Sequence, residues 1–365
     1  MKKAVFGIVG AGWRAEFFLR AARELPEYFQ VSIVVERNPE KAEKLSRKWG
    51  VKVLPNLEAL AECRDEVEFI VMCLSPSVMP EMLIKASDLG FYVLSETFAF
   101  ETAEAIEEYY NQIKEPSKIQ FAEQYWLRPA HMARLSVIES GILGNVTQAQ
   151  ISVGHGYHGT SLLRKYLNAG FAECEIKAWE FKNPIVEGPG RNGYPEEEKI
   201  IEDKQQFAVL DFGGKWGVFD FTEEQYFSKI RGSRVLIRGE RGEIENNTVR
   251  CLKDFKTPVE YTMTRCASGI DEGLGAPVID GIQAGGEWVY KNPFGRPRLS
   301  DEEIAVAAAV WKMHEYVCSG TVFYSLEEAC QDQYLDCMIR KSAALGQSVK
   351  VKKRCWAKNG SKEQQ

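Results

Sequence analysis

The sequence contains no Cys-x-x-Cys pair, no histidine at zinc-finger spacing and no apolar run near the roughly 18 residues that a membrane helix needs. A metal centre and a helical membrane span are therefore not expected. The nine cysteines, at 63, 73, 174, 251, 266, 318, 330, 337 and 355, are odd in number and scattered, so they read as reduced thiols rather than a disulfide framework. A basic surplus is missing as well: 46 lysines and arginines stand against 52 acids, a net charge of −6, which leaves no electrostatic footprint for nucleic acid. The first residues, Met1-Lys2-Lys3, run into a strand without the apolar segment of a secretory signal. These absences together point to a cytoplasmic, globular protein.

What is present organises itself into two parts. At 365 residues and 45% hydrophobic content the chain is long enough for two cores, and the pattern divides it into residues 1–125 and 126–365. The first part alternates short β-branched or aromatic runs (Ala4–Val9, Val31–Val35, Phe69–Leu74, Phe91–Leu94, Ile119–Ala122) with helical segments, the signature of a parallel α/β sheet. Five strands fit it. From Val146 the strands lengthen and carry hairpin signals such as Gly213-Gly214 and Asn246-Asn247, so a mostly antiparallel sheet in an α+β domain is expected. Helices over Asp301–Ser319 and Leu326–Leu345 are expected to return over one sheet face. The stretches Glu187–Tyr194 and Ala267–Gly275 read as glycine-rich loops, either lids or plain connections, and Lys358–Gln365 as a disordered tail.

The strongest local signal is Gly10-Ala11-Gly12-Trp13-Arg14-Ala15, directly after the first strand and before an apolar helix. It fits G-x-G-x-x-A, in which the first glycine permits a tight turn, the second lets the backbone approach a pyrophosphate and the alanine packs helix on strand. Glu36 closes the second strand, where a carboxylate accepts hydrogen bonds from an adenosine ribose. It would repel a 2′-phosphate, so NAD is expected over NADP. The adjacent Arg37 leaves NADP open.

Several stretches resemble the Gfo/Idh/MocA oxidoreductase family. Phe69–Pro76 looks like its third strand and proline turn, Leu94-Ser95-Glu96-Thr97-Phe98 occupies the place of its Glu-Lys-Pro motif, and Ser140–Gly144 looks like the opening of its second domain. Gly154-His155-Gly156-Tyr157-His158 falls where the family has D-x-G-x-H, and Asp301–Ala305 resembles its late helix. The resemblance implies an N-terminal Rossmann domain, a C-terminal domain with a large open sheet that joins subunits into a homo-oligomer, and a small-molecule substrate of carbohydrate type. It also implies cofactor contacts from Leu74, Ser75, Pro76, Glu96, Thr97 and Gln124, in addition to the glycine turn.

Two departures from the family stand out. Thr97 and Phe98 replace its lysine and proline, and Gly154 replaces its aspartate, whereas Gly156 and His158 match. Taking a proton from a secondary hydroxyl suits a histidine, so His158 is the expected base, projecting from the start of a helix over Thr160–Leu167. Tyr157, Arg164 and Lys165 are the nearest groups that could replace the missing charge, whereas Thr97, a catalytic candidate by its place in the motif, can hydrogen-bond but cannot stand in for a lysine cation. Tyr125, Trp126, Arg128 and His155 are the candidate substrate contacts. The expected activity is hydride transfer to or from a secondary hydroxyl of a sugar, polyol or glycoside. Two alternatives stay open at this point: a non-catalytic dinucleotide-binding sensor, and a reductase of imines or double bonds.

Overall fold

A computed structural model describes residues 2–269 and 278–357. The tail from Lys358 lies outside them, as does most of the expected Ala267–Gly275 loop. The N-terminal part is a six-stranded parallel sheet of β1 (Ala4–Val9), β2 (Phe29–Val35), β3 (Lys52–Leu54), β4 (Phe69–Met72), β5 (Val93–Ser95) and β6 (Ile119–Phe121), in the order β3-β2-β1-β4-β5-β6. Strand β3 is one more than the pattern indicates. It is a three-residue edge strand, too short to carry periodicity. The connecting helices are α1 (Trp13–Glu24), α2 (Pro39–Trp49), α3 (Leu57–Glu62), α4 (Met79–Asp88) and α5 (Ala103–Gln112). Strand β4 is buried along its whole length, as expected of a parallel strand covered on both faces.

Helix α6 (Pro129–Glu139) then leads into a nine-stranded sheet with the order β14-β13-β12-β11-β7-β10-β9-β8-β18. Its long members are β7 (Val146–Ser152), followed by helix α7 (Gly156–Leu167), then β8 (Cys174–Val186), β9 (Ile200–Asp211), β10 (Trp216–Thr222) and β11 (Arg234–Gly239). Strands β12 (Gly242–Glu245), β13 (Thr248–Leu252) and β14 (Pro258–Thr262) extend one edge. Pairing is antiparallel except between β7 and β10, so the sheet is mixed but mostly antiparallel. A small sheet of β15 (Thr264–Ser268), β16 (Val278–Ala284) and β17 (Glu287–Lys291) sits beside α6.

The last two long helices part company. Helix α9 (Leu326–Leu345) covers the inner face of the large sheet, where Ser342 accepts from the Ala178 N–H and donates to the Ile176 carbonyl. Helix α8 (Asp301–Ser319), expected on the same face, instead returns to the Rossmann half and packs on α1. Its Ser300–Glu303 capping box fixes where it starts, Arg20 ion-pairs with Glu303, and Trp311 closes an edge-to-face cluster with Tyr28 and Phe29. A short β18 (Val349–Val351) then adds to the edge at β8. The two halves are thus laced together by α8, whose first turn lies against the carboxyl end of the parallel sheet.

Candidate active site

The glycine turn has a steric cause. Gly10 sits at φ +98°, and a Cβ there would lie 2.5 Å from the Cys73 carbonyl oxygen. Its N–H donates to the Val35 carbonyl at 3.0 Å, which places the turn beside the end of β2 and beside Glu36. Gly12 caps α1 without any side-chain hydrogen bond, and a Cβ there would meet nothing within 4 Å. An open approach in front of uncapped helix N–H groups is the cradle that an anionic pyrophosphate requires. Ala15 is fully buried behind it, while Ala11 and Trp13 flank the opening. One Glu36 oxygen accepts from the Asn38 N–H at 2.8 Å, and Arg37 is exposed next to it. These residues fit a dinucleotide.

Past the turn a cleft of about 740 Å³ opens between the halves. Leu74, Ser75, Pro76, Glu96, Thr97 and Gln124 line it from the Rossmann side. Tyr125, Arg128, His155, Tyr157 and His158 line the other wall. The structure therefore gathers most of the candidate residues in one place.

His158 lies in the first turn of α7, which begins at Gly156 rather than Thr160 because His155 supplies the N-cap position. The ring is buried, and its Nδ1 is 2.6 Å from Oε2 of Glu123, a residue the motif reading passed over. Glu123 follows β6 at the carboxyl edge of the sheet, and its other oxygen accepts the Tyr125 N–H at 3.2 Å. Burial works against charge on both partners: it pushes the Glu123 carboxyl up to about 8 and the His158 imidazole down. Near neutral pH the pair is therefore a protonated carboxyl hydrogen-bonded to a neutral imidazole, not a standing ion pair.

The replaced family positions have local reasons. A Cβ on Gly154 would come within 2.9 Å of the Tyr125 ring and 3.0 Å of the His158 Cβ, because those two rings pack at 4.2 Å. An aspartate does not fit there. Thr97 Oγ1 lies 2.5 Å from the Tyr157 hydroxyl, and burial raises the Tyr157 phenol so that it stays protonated. Phe98 is buried among Phe100, Tyr109 and Phe121. His155 contacts the Tyr226 hydroxyl through both its backbone N–H and its ring, and the Arg128 guanidinium sits 4.0 Å over the Tyr125 ring.

A second carboxylate missed by the motif reading is Glu302, in the first turn of α8. It accepts from Arg14 at 2.8 Å and from Gln124 at 2.9 Å, and it pairs with Arg128. Burial alone would raise its pKa, yet the guanidinium groups of Arg128 and Arg14 hold it below the ordinary value. Arg14 also donates to Glu96 at 2.7 Å.

Lys165 and Trp126 stand elsewhere. Seven residues bring Lys165 to the same side of α7 as His158 but about 10 Å farther along the helix, where its ammonium pairs with Glu328 at 3.2 Å and lies 5.1 Å over the Trp126 ring. Neither lines the cleft.

Residues 5–124 match the sequence model of the Gfo/Idh/MocA oxidoreductase family, described as an NAD-binding Rossmann fold. The match spans the parallel-sheet part of the chain and stops there. Over those residues the match points to NAD-dependent oxidation and reduction as the class of chemistry. Solved structures share the fold over nearly the full length. A levoglucosan dehydrogenase in complex with NADH and levoglucosan is 14% identical with a TM-score of 0.69, covering 97% of this chain and 100% of that one. A myo-inositol dehydrogenase from Corynebacterium glutamicum is 15% identical with a TM-score of 0.64 over 96% and 99%. An aldose-aldose oxidoreductase from Caulobacter crescentus is 14% identical with a TM-score of 0.63 over 96% and 100%. No curated protein matches the sequence. Among the described residues no helix is long and apolar enough to cross a membrane, and no group of three or more His, Cys, Asp or Glu side chains could hold a metal ion.

Proposed function

We propose that the protein oxidises a secondary hydroxyl of a sugar, polyol or glycoside, with His158 as the base. The observation that carries this reading is the 2.6 Å contact between His158 Nδ1 and Glu123 inside the cleft. NAD, when bound, supplies the hydride acceptor; Gly10, Gly12, Glu36 and the α1 N-terminus are the residues that would hold it.

The proton chemistry follows from the pair. With Glu123 ionised, its carboxylate accepts the Nδ1–H and fixes the tautomer, leaving the Nε2 lone pair free to take the hydroxyl proton. With Glu123 protonated, it donates to Nδ1 instead, Nε2 carries the hydrogen, and the ring cannot act as a base. Oxidation is therefore the reaction of the deprotonated pair, and reduction that of the protonated one. The Tyr157 hydroxyl, backed by Thr97, donates to the substrate oxygen from a neutral group where a lysine would have donated from a cation. The exposed Tyr226 ring provides a flat wall for the apolar face of a sugar ring, while Tyr125, packed between His158 and Arg128, supports the wall from behind. Arg128 and His155 would add polar contacts to substrate hydroxyls. Two dehydrogenases of levoglucosan and of myo-inositol share the fold, which supports a polyhydroxylated substrate.

Assembly belongs to the same reading. The face of the large sheet away from α9 carries Trp179 paired across from Phe207, with Phe181 and Trp216 exposed alongside. An apolar patch of this kind is covered in solution by a second copy of the chain. Incubation with NAD and a panel of myo-inositol, glucose, methyl glucoside and levoglucosan, followed by NADH absorbance, tests the activity. Turnover of at least one member that disappears in His158→Ala is expected, and turnover that survives the substitution removes His158 from the mechanism.

A further inference from the structure

Three cations line the cleft: Arg14, Arg128 and Arg191. The first two are neutralised in place, Arg14 by Glu96 and Glu302, Arg128 by Glu302. Arg191 makes no ion pair among the described residues. It stands at the tip of the loop between β8 and β9, where Gly190 and Gly193 pair back to back, each N–H donating to the other's carbonyl, at 2.9 and 3.1 Å. Gly193 closes this hairpin at φ +107°. The base of the loop is tied down, since the Gly188 N–H donates to Glu224 at 3.0 Å and the Glu187 N–H to the Lys199 carbonyl at 2.9 Å. A fixed base and a two-residue tip project the guanidinium across the cleft onto the other half of the molecule.

It lands on Trp13. The Arg191 Cζ sits 4.2 Å from the centroid of that indole, and Trp13 is the first residue of α1, immediately after the open Gly12 position. At this mouth the Rossmann half offers backbone N–H groups, a helix dipole and the Ser75 hydroxyl, and the charge of its own Arg14 is already balanced by two carboxylates. A dinucleotide diphosphate carries two negative charges into that place. We propose that Arg191, stacked on Trp13, is a cofactor-binding residue that donates to the diphosphate from the second domain. This rests on the reading that the site holds NAD. Stacking on the indole leaves the edge N–H groups of the planar guanidinium free to donate to phosphate oxygens.

The test is binding without turnover. Wild type, Arg191→Ala and Arg191→Lys are titrated with NADH by fluorescence and with ADP-ribose by calorimetry, at low and high salt, with thermal melts to verify folding. One charge-assisted contact corresponds to about a tenfold loss of affinity. Arg191→Ala is expected to bind both ligands about tenfold more weakly, with a shallower salt dependence, and Arg191→Lys to fall between. Trypsin cleavage after Arg191 in the wild type should slow when NADH is added. Unchanged affinity in Arg191→Ala overturns the proposal. So does a loss confined to NADH with ADP-ribose unaffected, which would move Arg191 to the nicotinamide end. Failure of the wild type to bind either ligand would instead overturn NAD binding itself.

Discussion

Glu123 and His158 meet at 2.6 Å although 35 residues separate them, one at the edge of the parallel sheet and the other in the first turn of α7. Both are enclosed, and burial disfavours the charged form of each. The pH dependence of the reaction is set by this relationship. Because the raised Glu123 value lies near 8, alcohol oxidation should climb as pH rises through about 8, where the pair loses its proton and Nε2 becomes free. Reduction of the matching ketone should fall over the same range. A pH–rate profile run in both directions checks the sign.

Replacing His158 by Ala removes the base. General-base catalysis contributes about 10²- to 10⁴-fold, so kcat should fall by about a thousandfold. Affinity for NADH should stay within about twofold of wild type, since the ring lies away from the glycine turn. Parallel kinetics and fluorescence titration separate the two effects.

Tyr157→Phe deletes only a hydroxyl, leaving the ring to pack. If the Tyr157–Thr97 pair supplies the neutral donor, kcat should drop by about ten- to a hundredfold, as expected for one lost hydrogen bond to the reacting oxygen. An ammonium would restore charge, so Thr97→Lys should shift the pH profile; an unshifted profile argues that position 97 is remote from the reacting oxygen.

Glycines 10 and 12 make a discriminating pair. Gly10→Ala forces a Cβ toward the Cys73 carbonyl at a positive φ and should cost about 2 kcal/mol or more of stability. A Cβ at Gly12 meets no protein atom within 4 Å, so Gly12→Ser, a residue the N-cap position tolerates, should leave the melting temperature without ligand close to wild type while NADH affinity falls. Thermal melts with and without NADH distinguish them.

Glu302 serves both halves. Glu302→Ala would leave the Arg14 and Arg128 guanidinium groups without this partner, and since both are partly reached by water the cost should be about 2 kcal/mol. Chemical denaturation measures it, and Glu302→Gln, which keeps the acceptor for Gln124, should lose less.

How far this was legible from the sequence depends on the range of each cause. The Rossmann half is written in local signals: a glycine turn between strand and helix, and an acid one strand later. Glu123 and Glu302 carry no local mark, because each acts through partners brought from 35 to 288 residues away. Glu302 lay inside a recognised helix start, and a carboxylate just past β6, at the edge where ligands bind, was the one available hint of Glu123. Lys165 lies outside the cleft for the opposite reason: helical periodicity places it on one side of α7 but does not encode the neighbouring Glu328 on α9. The return of α8 to the Rossmann half likewise depends on Tyr28, Phe29 and Trp311 meeting, which no periodicity encodes.

The most direct test is the pH–rate profile of alcohol oxidation in wild type beside Glu123→Gln, on whichever panel substrate turns over. Glutamine keeps the shape but cannot titrate. The wild type should show activity rising to a plateau through about pH 8, and Glu123→Gln should be slow and without that rise. Superimposable profiles would contradict the assignment of Glu123 and His158 as the proton-accepting pair.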